Sequence, residues 1–294
     1  MRKFNSVFAL AAGVALSFGL AQMPVMAATA DTTATTTAGT HHQDHVWRVG
    51  CDAAFAPFTY TDEKGQLIGF DVDLIKAIGA EMGYTIDMKG YPFDGIIPTL
   101  ITNNIDMIIS GFTISPERAE RVDFSDPYYR CGLTFLTLKK NADKFSTFDD
   151  IAKAKICVQI GTTGALFLQK TLKNPDMRQF NTPPETYLEL QNGGCEVVVN
   201  DRPVNDFFLA QSPENKKNVV SKDIDIAQNE YYGIAIAKGN TELLKLVNEG
   251  LKRVIDNGKF AEISNKWFGY DITDDLKAHS AEAAAALAGG GSGK

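Results

Sequence analysis

The stretch Ile105–Ala119, IDMIISGFTISPERA, reads as a buried apolar strand that ends at Ser110-Gly111 and runs straight into a helix. Ser115 is a good N-cap and Pro116 is the residue type favoured at the first helical position, so Glu117 and Arg118 stand in the first turn. A cation there works against the helix dipole by a few tenths of a kcal/mol to about 1 kcal/mol. Arg118 therefore calls for an anion, and the sequence has to supply it or a ligand must.

Outward from this stretch, strand-like and helix-like segments alternate. HVWRVGCD (residues 45–52) is a short strand. GFDVDLIKAIGAEMG (69–83) carries Leu74, Ile75, Ile78 and Met82 at helical spacing and stops on Gly83. YTIDMKG is a second strand, DGIIPTLITNN a short helix, and IDMIISG the third strand. The β-α-β-α-β order predicts a mostly parallel sheet covered by helices. The same order recurs in AKICVQI, TGALFLQKTLK, MRQFN, PETYLELQNG and CEVVVND, so two similar α/β units are expected, joined through CGLTFLTLKK. YYGIAIAKG reads as one further strand. After it, Leu243, Leu244, Val247, Leu251, Val254 and Ile255 form an apolar helix face that stops at Gly258, followed by a last helix in KFAEISNKWFG.

The ends have a different character. Arg2 and Lys3 precede an apolar run from Val7 to Leu20, and Val25-Met26-Ala27 has small residues at the spacing of a cleavage site, so residues 1–27 are expected to be a cleavable signal peptide. The first cysteine is Cys51, well beyond that site, so a lipid anchor is not expected. Residues 28–45 read as a flexible Thr/Ala-rich leader and 272–294 as a flexible tail ending in Gly-Gly-Gly-Ser-Gly-Lys. Cleavage removes Arg2 and Lys3 and no acid, taking the net charge from -7 to -9, which argues against a nucleic-acid partner. Cys51, Cys131, Cys157 and Cys195 show no metal-ligand or redox spacing and read as buried small hydrophobes. His41, His42 and His45 fall in the leader, and no metal site or cofactor is expected.

In open parallel sheets, ligands bind beyond the carboxyl ends of the strands. The first strand ends at Asp52 with Phe55 and Phe58 beyond it, and the third at Gly111, Thr113 and Arg118. In the second unit, CVQIGTTG ends at Gln159 and opens through Gly161-Thr162-Thr163-Gly164 into a helix, while CEVVVND ends at Asn200-Asp201. Arg118 can hold a carboxylate by two charge-assisted bonds, and a Gly/Thr loop at a helix start offers N–H groups to the same oxygens. Asp201 can hold an ammonium, with the Gly111 carbonyl and the Thr113 hydroxyl completing its partners. Such a set suits a zwitterion. Local roles also exist for each residue: Arg118 beside Glu120 or Asp123, Asp201 capping the helix after Pro203, and Asp52 capping a turn.

Taken together, VGCDAAFAPFTY, IGFDVDLIKAIGAEMGY, YPFDGIIPTLITNNIDMIISGFTISPERAERVDFSDPYY, VQIGTTG, VVVNDRP and NEYYGIAIAKGN closely resemble the polar amino acid-binding proteins of ABC importers, the solute-binding family that includes glutamine-, histidine- and lysine/arginine-binding members. The collinear match runs over nearly all of residues 46–270. The resemblance implies an α/β fold of the periplasmic binding protein-like, type II kind: lobe 1 from residues 46–130 and 231–271, lobe 2 from 131–230. Two crossover strands near Tyr128–Gly132 and Gln228–Tyr232 would join them, and closure would be a hinge motion. It further implies a periplasmic monomer that hands an amino acid to an inner-membrane ABC permease. Arg118 and Thr163 would take the ligand carboxylate and Gly111, Thr113 and Asp201 its ammonium. Phe55 and Phe93 would pack on its aliphatic chain, and Asp52 would face the distal end of its side chain.

Glutamine-binding members can carry a lysine where this chain has Gln159, and a neutral amide beside Asp52 leaves the distal pocket net negative. That suits arginine, lysine or histidine as well as glutamine. The same two-lobed fold is similar to that of cyclohexadienyl dehydratases, which need a carboxylic acid at the leaving hydroxyl; Asp52 is the one spare carboxylate for that role. An ammonium partner at Asp201 counts against prephenate, less against arogenate. His279 is the only histidine outside the leader and lies beyond the expected fold, so nucleophilic catalysis has no support and no catalytic residue is assigned.

Overall fold

The computed structural model describes residues 45–227, 229–279 and 282. The expected signal peptide, the leader up to residue 44, Gln228 and most of the tail beyond 279 lie outside the described residues.

The first lobe opens with β1 (Val46–Cys51), followed by a small antiparallel meander of β2 (Ala54–Phe55), β3 (Thr59–Thr61) and β4 (Leu67–Ile68). Helix α1 (Phe70–Met82) follows; its Leu74, Ile75 and Ile78 are fully buried, and it ends at Gly83, whose φ of 78° lets its N–H close onto the Ala80 carbonyl. Next come β5 (Thr85–Gly90), α2 (Ile96–Ile101), β6 (Met107–Ile108), the single turn α3 (Pro116–Ala119) and β7 (Val122–Phe124). Strand β8 (Tyr129–Cys131) then carries the chain out of this lobe.

The second lobe holds β9 (Leu133–Leu138), β10 (Lys155–Gln159), α4 (Thr163–Thr171), β11 (Asp176–Phe180), α5 (Pro183–Gln191), β12 (Val197–Asp201), α6 (Arg202–Ala210), α7 (Pro213–Asn218) and β13 (Val219–Asp223). Strand β14 (Glu230–Tyr232) pairs antiparallel with β8, and the chain returns through β15 (Ala235–Ala237), α8 (Thr241–Asp256), α9 (Lys259–Phe268) and α10 (Thr273–Ala278).

The two sheets repeat one plan. Their orders are β5-β1-β6-β15-β7 and β11-β10-β12-β9-β13. In the first, β1 runs parallel to β5 and β6, and β15 is antiparallel to both of its neighbours. In the second, β10 runs parallel to β11 and β12, and β9 is antiparallel to both of its neighbours. Four strands of each sheet therefore point one way. The reversed strand is in each case the one that has just crossed from the other lobe. All parallel strands consequently deliver their carboxyl ends to the junction between lobes.

Lobe 1 is held by Trp47, Val49, Phe70, Leu74 and Ile78 packed under Val247, Leu251 and Phe260 of the returning helices. At Gly250 a methyl group would come within 2.7 Å of Ile78 Cγ2, so the close approach of α8 to α1 depends on a residue without a side chain. Lobe 2 is held by Phe135, Ile156, Val158 and Leu168. Full burial of each such side chain contributes about 1.5–3 kcal/mol. An aromatic group fills the crossover: Phe58 meets Tyr129 and Tyr232 edge-on at 5.0 Å each, and Phe70 meets Phe268 at 4.9 Å. All four cysteines are buried and unbridged.

Three expectations need correction. YYGIAIAKG is two strands, not one, because the chain changes sheet at Gly233, where β14 leaves the crossover and β15 enters lobe 1. The joining stretch CGLTFLTLKK contributes β9, an interior strand of the second sheet. Residues from 272 do not all belong to a flexible tail: Thr273–Ala278 is helical, with Ile272 and Leu276 buried.

Candidate ligand-binding cleft

Every residue singled out from the sequence lies at the carboxyl edge of one sheet or the other, and all nine are buried: Asp52, Phe55, Phe93, Gly111, Thr113, Arg118, Gln159, Thr163 and Asp201. They form two groups within one closed cleft.

The first group joins the lobes at one end. Asp52 follows β1, and its backbone N–H donates to Ser110 Oγ at 2.8 Å. Its Oδ1 accepts from the Ala54 N–H at 2.9 Å, as a turn cap would. Its Oδ2 accepts from Gln159 Nε2 of the opposite lobe at 2.6 Å. The same amide donates to the Asn181 carbonyl, while Gln159 Oε1 is buried with no partner. Burial raises the Asp52 pKa, opposed by its bonds from Gln159 and Ala54. This end is negative and has an acceptor to spare.

The second group surrounds Arg118. Ser115 caps α3 as expected, accepting from the Arg118 N–H at 3.3 Å. The guanidinium turns away from that helix end. Its NH1 donates to the Thr113 carbonyl at 2.8 Å and its NH2 reaches across the cleft to the Gly161 carbonyl at 3.2 Å. It lies 4.2 Å from the Phe112 ring centre and 5.3 Å from that of Phe93. The local ion pair with Asp123 is not formed, since Asp123 is engaged by Lys238. Burial lowers the Arg118 pKa to about 10, with Asp201 and Glu230 opposing, so it stays charged at neutral pH.

Gly111 adopts a φ of +52°, and its N–H donates to Asp71 Oδ2 at 2.6 Å. A methyl group there would come within 2.5 Å of Phe55 Cε1. Glycine is thus required by both conformation and space. Asp71 also accepts from Tyr128 OH at 2.9 Å, and burial pushes its carboxyl up to about 7. In lobe 2, Thr162 caps α4 by accepting from the Ala165 N–H at 3.2 Å, which leaves Thr163 at the first helical position. Asp201 stands at the N-cap position of α6 but makes no side-chain cap bond; its Oδ2 accepts from Tyr232 OH at 2.5 Å. Burial raises Asp201 to about 6, with Tyr232 and Arg118 opposing.

Sequence reasoning missed Glu230, Tyr232 and Asp71. Glu230 and Tyr232 alternate on β14 and share the face that meets Thr163 and Asp201. The period-2 pattern of NEYYG, which sends Glu230 and Tyr232 to one side, is the signal that could have found them. Asp71 carries no local signal beyond being an acid on the apolar face of α1.

The family model described as bacterial extracellular solute-binding proteins, family 3, matches residues 47–270. A probable histidine-binding protein of Neisseria gonorrhoeae is 35% identical over 226 residues, which span 76% of this chain and 83% of that protein. Among solved structures, an ancestral arginine-binding protein bound to glutamine aligns with a TM-score of 0.72 at 38% identity, covering 78% of this chain and all of that one. An ancestral amino acid-binding protein described as a precursor of cyclohexadienyl dehydratase aligns with a TM-score of 0.71 at 39% identity, covering 76% and 96%.

Proposed function

This chain belongs to the bacterial extracellular solute-binding proteins, family 3, and from that premise we propose that it captures a basic L-amino acid by hinge closure and delivers it to an ABC importer. Arg118 and Thr163 take the α-carboxylate, Gly111, Thr113 and Asp201 the α-ammonium, and Phe55 and Phe93 the aliphatic chain. Asp52 and Gln159 receive the distal end of the side chain.

The observation that carries the choice of ligand is the Asp52–Gln159 contact across the cleft, with its buried carboxylate and its unpartnered Gln159 Oε1. These are acceptors without a cation, so they favour a side chain that ends in N–H donors and a positive charge. Glutamine, with a neutral amide, satisfies the acceptors but not the charge. The similar proteins are named for histidine, cystine and arginine binding, and one is bound to glutamine, which supports a polar amino acid as ligand.

The family and the named relatives are binding proteins, and the neighbour related to the dehydratase is itself described as amino acid-binding. The dehydratase reading keeps only the raised pKa of Asp52 and the ancestry of that neighbour in its favour. Secretion through a cleavable signal peptide, action as a monomer and transient docking to an inner-membrane permease complete the proposal. No described helix is long and apolar enough to cross a membrane.

A thermal-shift screen of refolded, ligand-stripped protein against the twenty amino acids, prephenate and arogenate tests it. A ligand at about a thousand times its Kd adds roughly 4 kcal/mol, a rise of many degrees. The largest rise is expected with arginine, lysine or histidine. A response to prephenate alone would overturn the carrier reading.

A further inference from the structure

Glu230 sits in the cleft with no task in the scheme above. It lies on β14 opposite Cys131 of β8 and faces Thr163 at the start of α4, Arg118 of α3, Asp201 at the end of β12 and Tyr232 of its own strand. Thr163 and Arg118 both favour its ionised form, while Oε2 is buried with no partner. Thr163 and Arg118 are the groups assigned to the ligand carboxylate, so Glu230 borders that position.

A charge inventory decides its state. Of the charged groups described above, Arg118 is the cation and Asp52, Asp201 and Glu230 are the acids, with Asp71 behind Gly111 already accepting two hydrogen bonds. A bound zwitterion adds one cation and one anion at this end: its ammonium is met by Asp201 and its carboxylate by Arg118. A basic side chain is met by Asp52. Glu230 is then left over, and an uncompensated buried carboxylate takes a proton rather than bear the desolvation cost. A protonated carboxyl has one O–H to donate, and the buried orphan oxygen lies beside the site of an incoming acceptor.

We propose that Glu230 is a further ligand-recognition residue that acts as a neutral acid, donating from Oε2 to the ligand α-carboxylate, so that capture of an amino acid takes up a proton from solvent wherever Glu230 is ionised in the free protein. This inference rests on the amino acid-binding reading of the same cleft. Burial first, then the charge of Asp201, already raises the Glu230 pKa to about 8, and a second carboxylate nearby raises it further. The sign follows: a group whose pKa is higher in the complex than in the free protein strengthens binding below the free-protein value. That gain is complete below about 8 and is lost as pH rises above it toward the higher value in the complex.

The test is titration calorimetry of L-arginine into the full chain between pH 6.5 and 9, in buffers of different ionisation enthalpy, for wild type and Glu230→Gln. The wild type is expected to take up a fraction of a proton that grows above neutrality, with Kd rising about tenfold between pH 7 and pH 9. The glutamine variant keeps an N–H donor, so it is expected to bind with no proton uptake and a flat Kd once the shared titration of the ligand amine is subtracted. Binding by the wild type with no proton uptake, or with proton release, overturns the proposal and leaves the amino acid-binding reading standing. So does a glutamine variant that retains the wild-type pH dependence. If the variant does not fold, the wild-type proton count alone decides. A wild type that binds no amino acid at pH 7 overturns both.

Discussion

The two sheet edges that meet at the cleft share a topology but are braced from different sides. In lobe 1 the ligand-facing loops are tied within the lobe: Ser110 Oγ accepts from the Asp52 N–H, the Thr59 hydroxyl donates to the Asp52 carbonyl, Asp71 holds Gly111, and Phe112 backs Arg118. In lobe 2 the backbone is braced internally, through Asn200, Tyr187 and Asn205, yet its polar tips are held from elsewhere. Asp201 is held by Tyr232 of the crossover, and Gln159 partly by Asp52 of lobe 1. Lobe 1 thus ties most of its half of the candidate site from within, and lobe 2 takes the contacts of its polar tips from outside itself. Bracing one half from within lowers the ordering cost that binding must overcome.

The largest expected effect tests whether the lobe 1 half carries the affinity. Arg118→Ala removes the only described cation of the cleft groups, and with it the donor proposed for the ligand carboxylate. Hydrogen bonds to charged groups contribute about 1.5–3 kcal/mol each, so affinity for every amino acid should fall on the order of 10²- to 10⁴-fold. Circular dichroism should show the fold retained, because the guanidinium bonds two loop carbonyls rather than core elements. Calorimetry returning wild-type affinity would remove Arg118 from the site.

A smaller effect tests the bracing itself. Asp71→Ala strips the acceptor from both the Gly111 N–H and the Tyr128 hydroxyl, leaving two buried donors unpaired. Each orphan costs about 1–3 kcal/mol, which for a chain of this size lowers Tm by several degrees or more. Because Asp71 holds Gly111, which is proposed to meet the ligand ammonium, affinity should drop with stability. A variant with lowered Tm and unchanged Kd would mean that the lobe 1 loop does not need its brace to bind.

The extent to which this site can be read from sequence follows the same division. The strand-to-helix turns were legible because they carry local chemistry: Ser115-Pro116 starting α3, Thr162 capping α4 and Gly83 ending α1 are each determined by residues within a few positions. Arg118, Asp201 and Asp52 could be collected as a site because parallel strands send such residues to one edge. What escaped depends on which chain segment meets which. The continuous apolar run YYGIAIAKG gives no mark of the sheet change at Gly233, since alternation reports a face and not a partner. Glu230 and Asp71 looked like ordinary acids because what defines them, burial against Thr163 and Arg118 or against Gly111 and Tyr128, comes from residues far away in sequence.

The smallest expected effect probes the side-chain contact that both edges share at the distal end, Asp52 with Gln159. Asp52→Asn nearly preserves shape and removes a charge, so it separates electrostatics from fit. If the distal end receives a cationic group, arginine should lose about tenfold, the difference between a charged and a neutral hydrogen bond of roughly 1–1.5 kcal/mol. Glutamine should change by less than about threefold. Stability moves the other way. Burial raises the Asp52 pKa, so the folded chain holds this proton to higher pH than the unfolded chain, and stability is lost as pH rises from the unfolded value through the raised one. The asparagine variant is neutral throughout, so its Tm at pH 7 should equal or exceed that of wild type, and the part of the Tm decline between about pH 4 and neutrality due to Asp52 should disappear. Equal loss for arginine and glutamine would show that selectivity is set by shape at Phe55 and Phe93, and the contribution of lobe 2 at this end would reduce to closing the cleft.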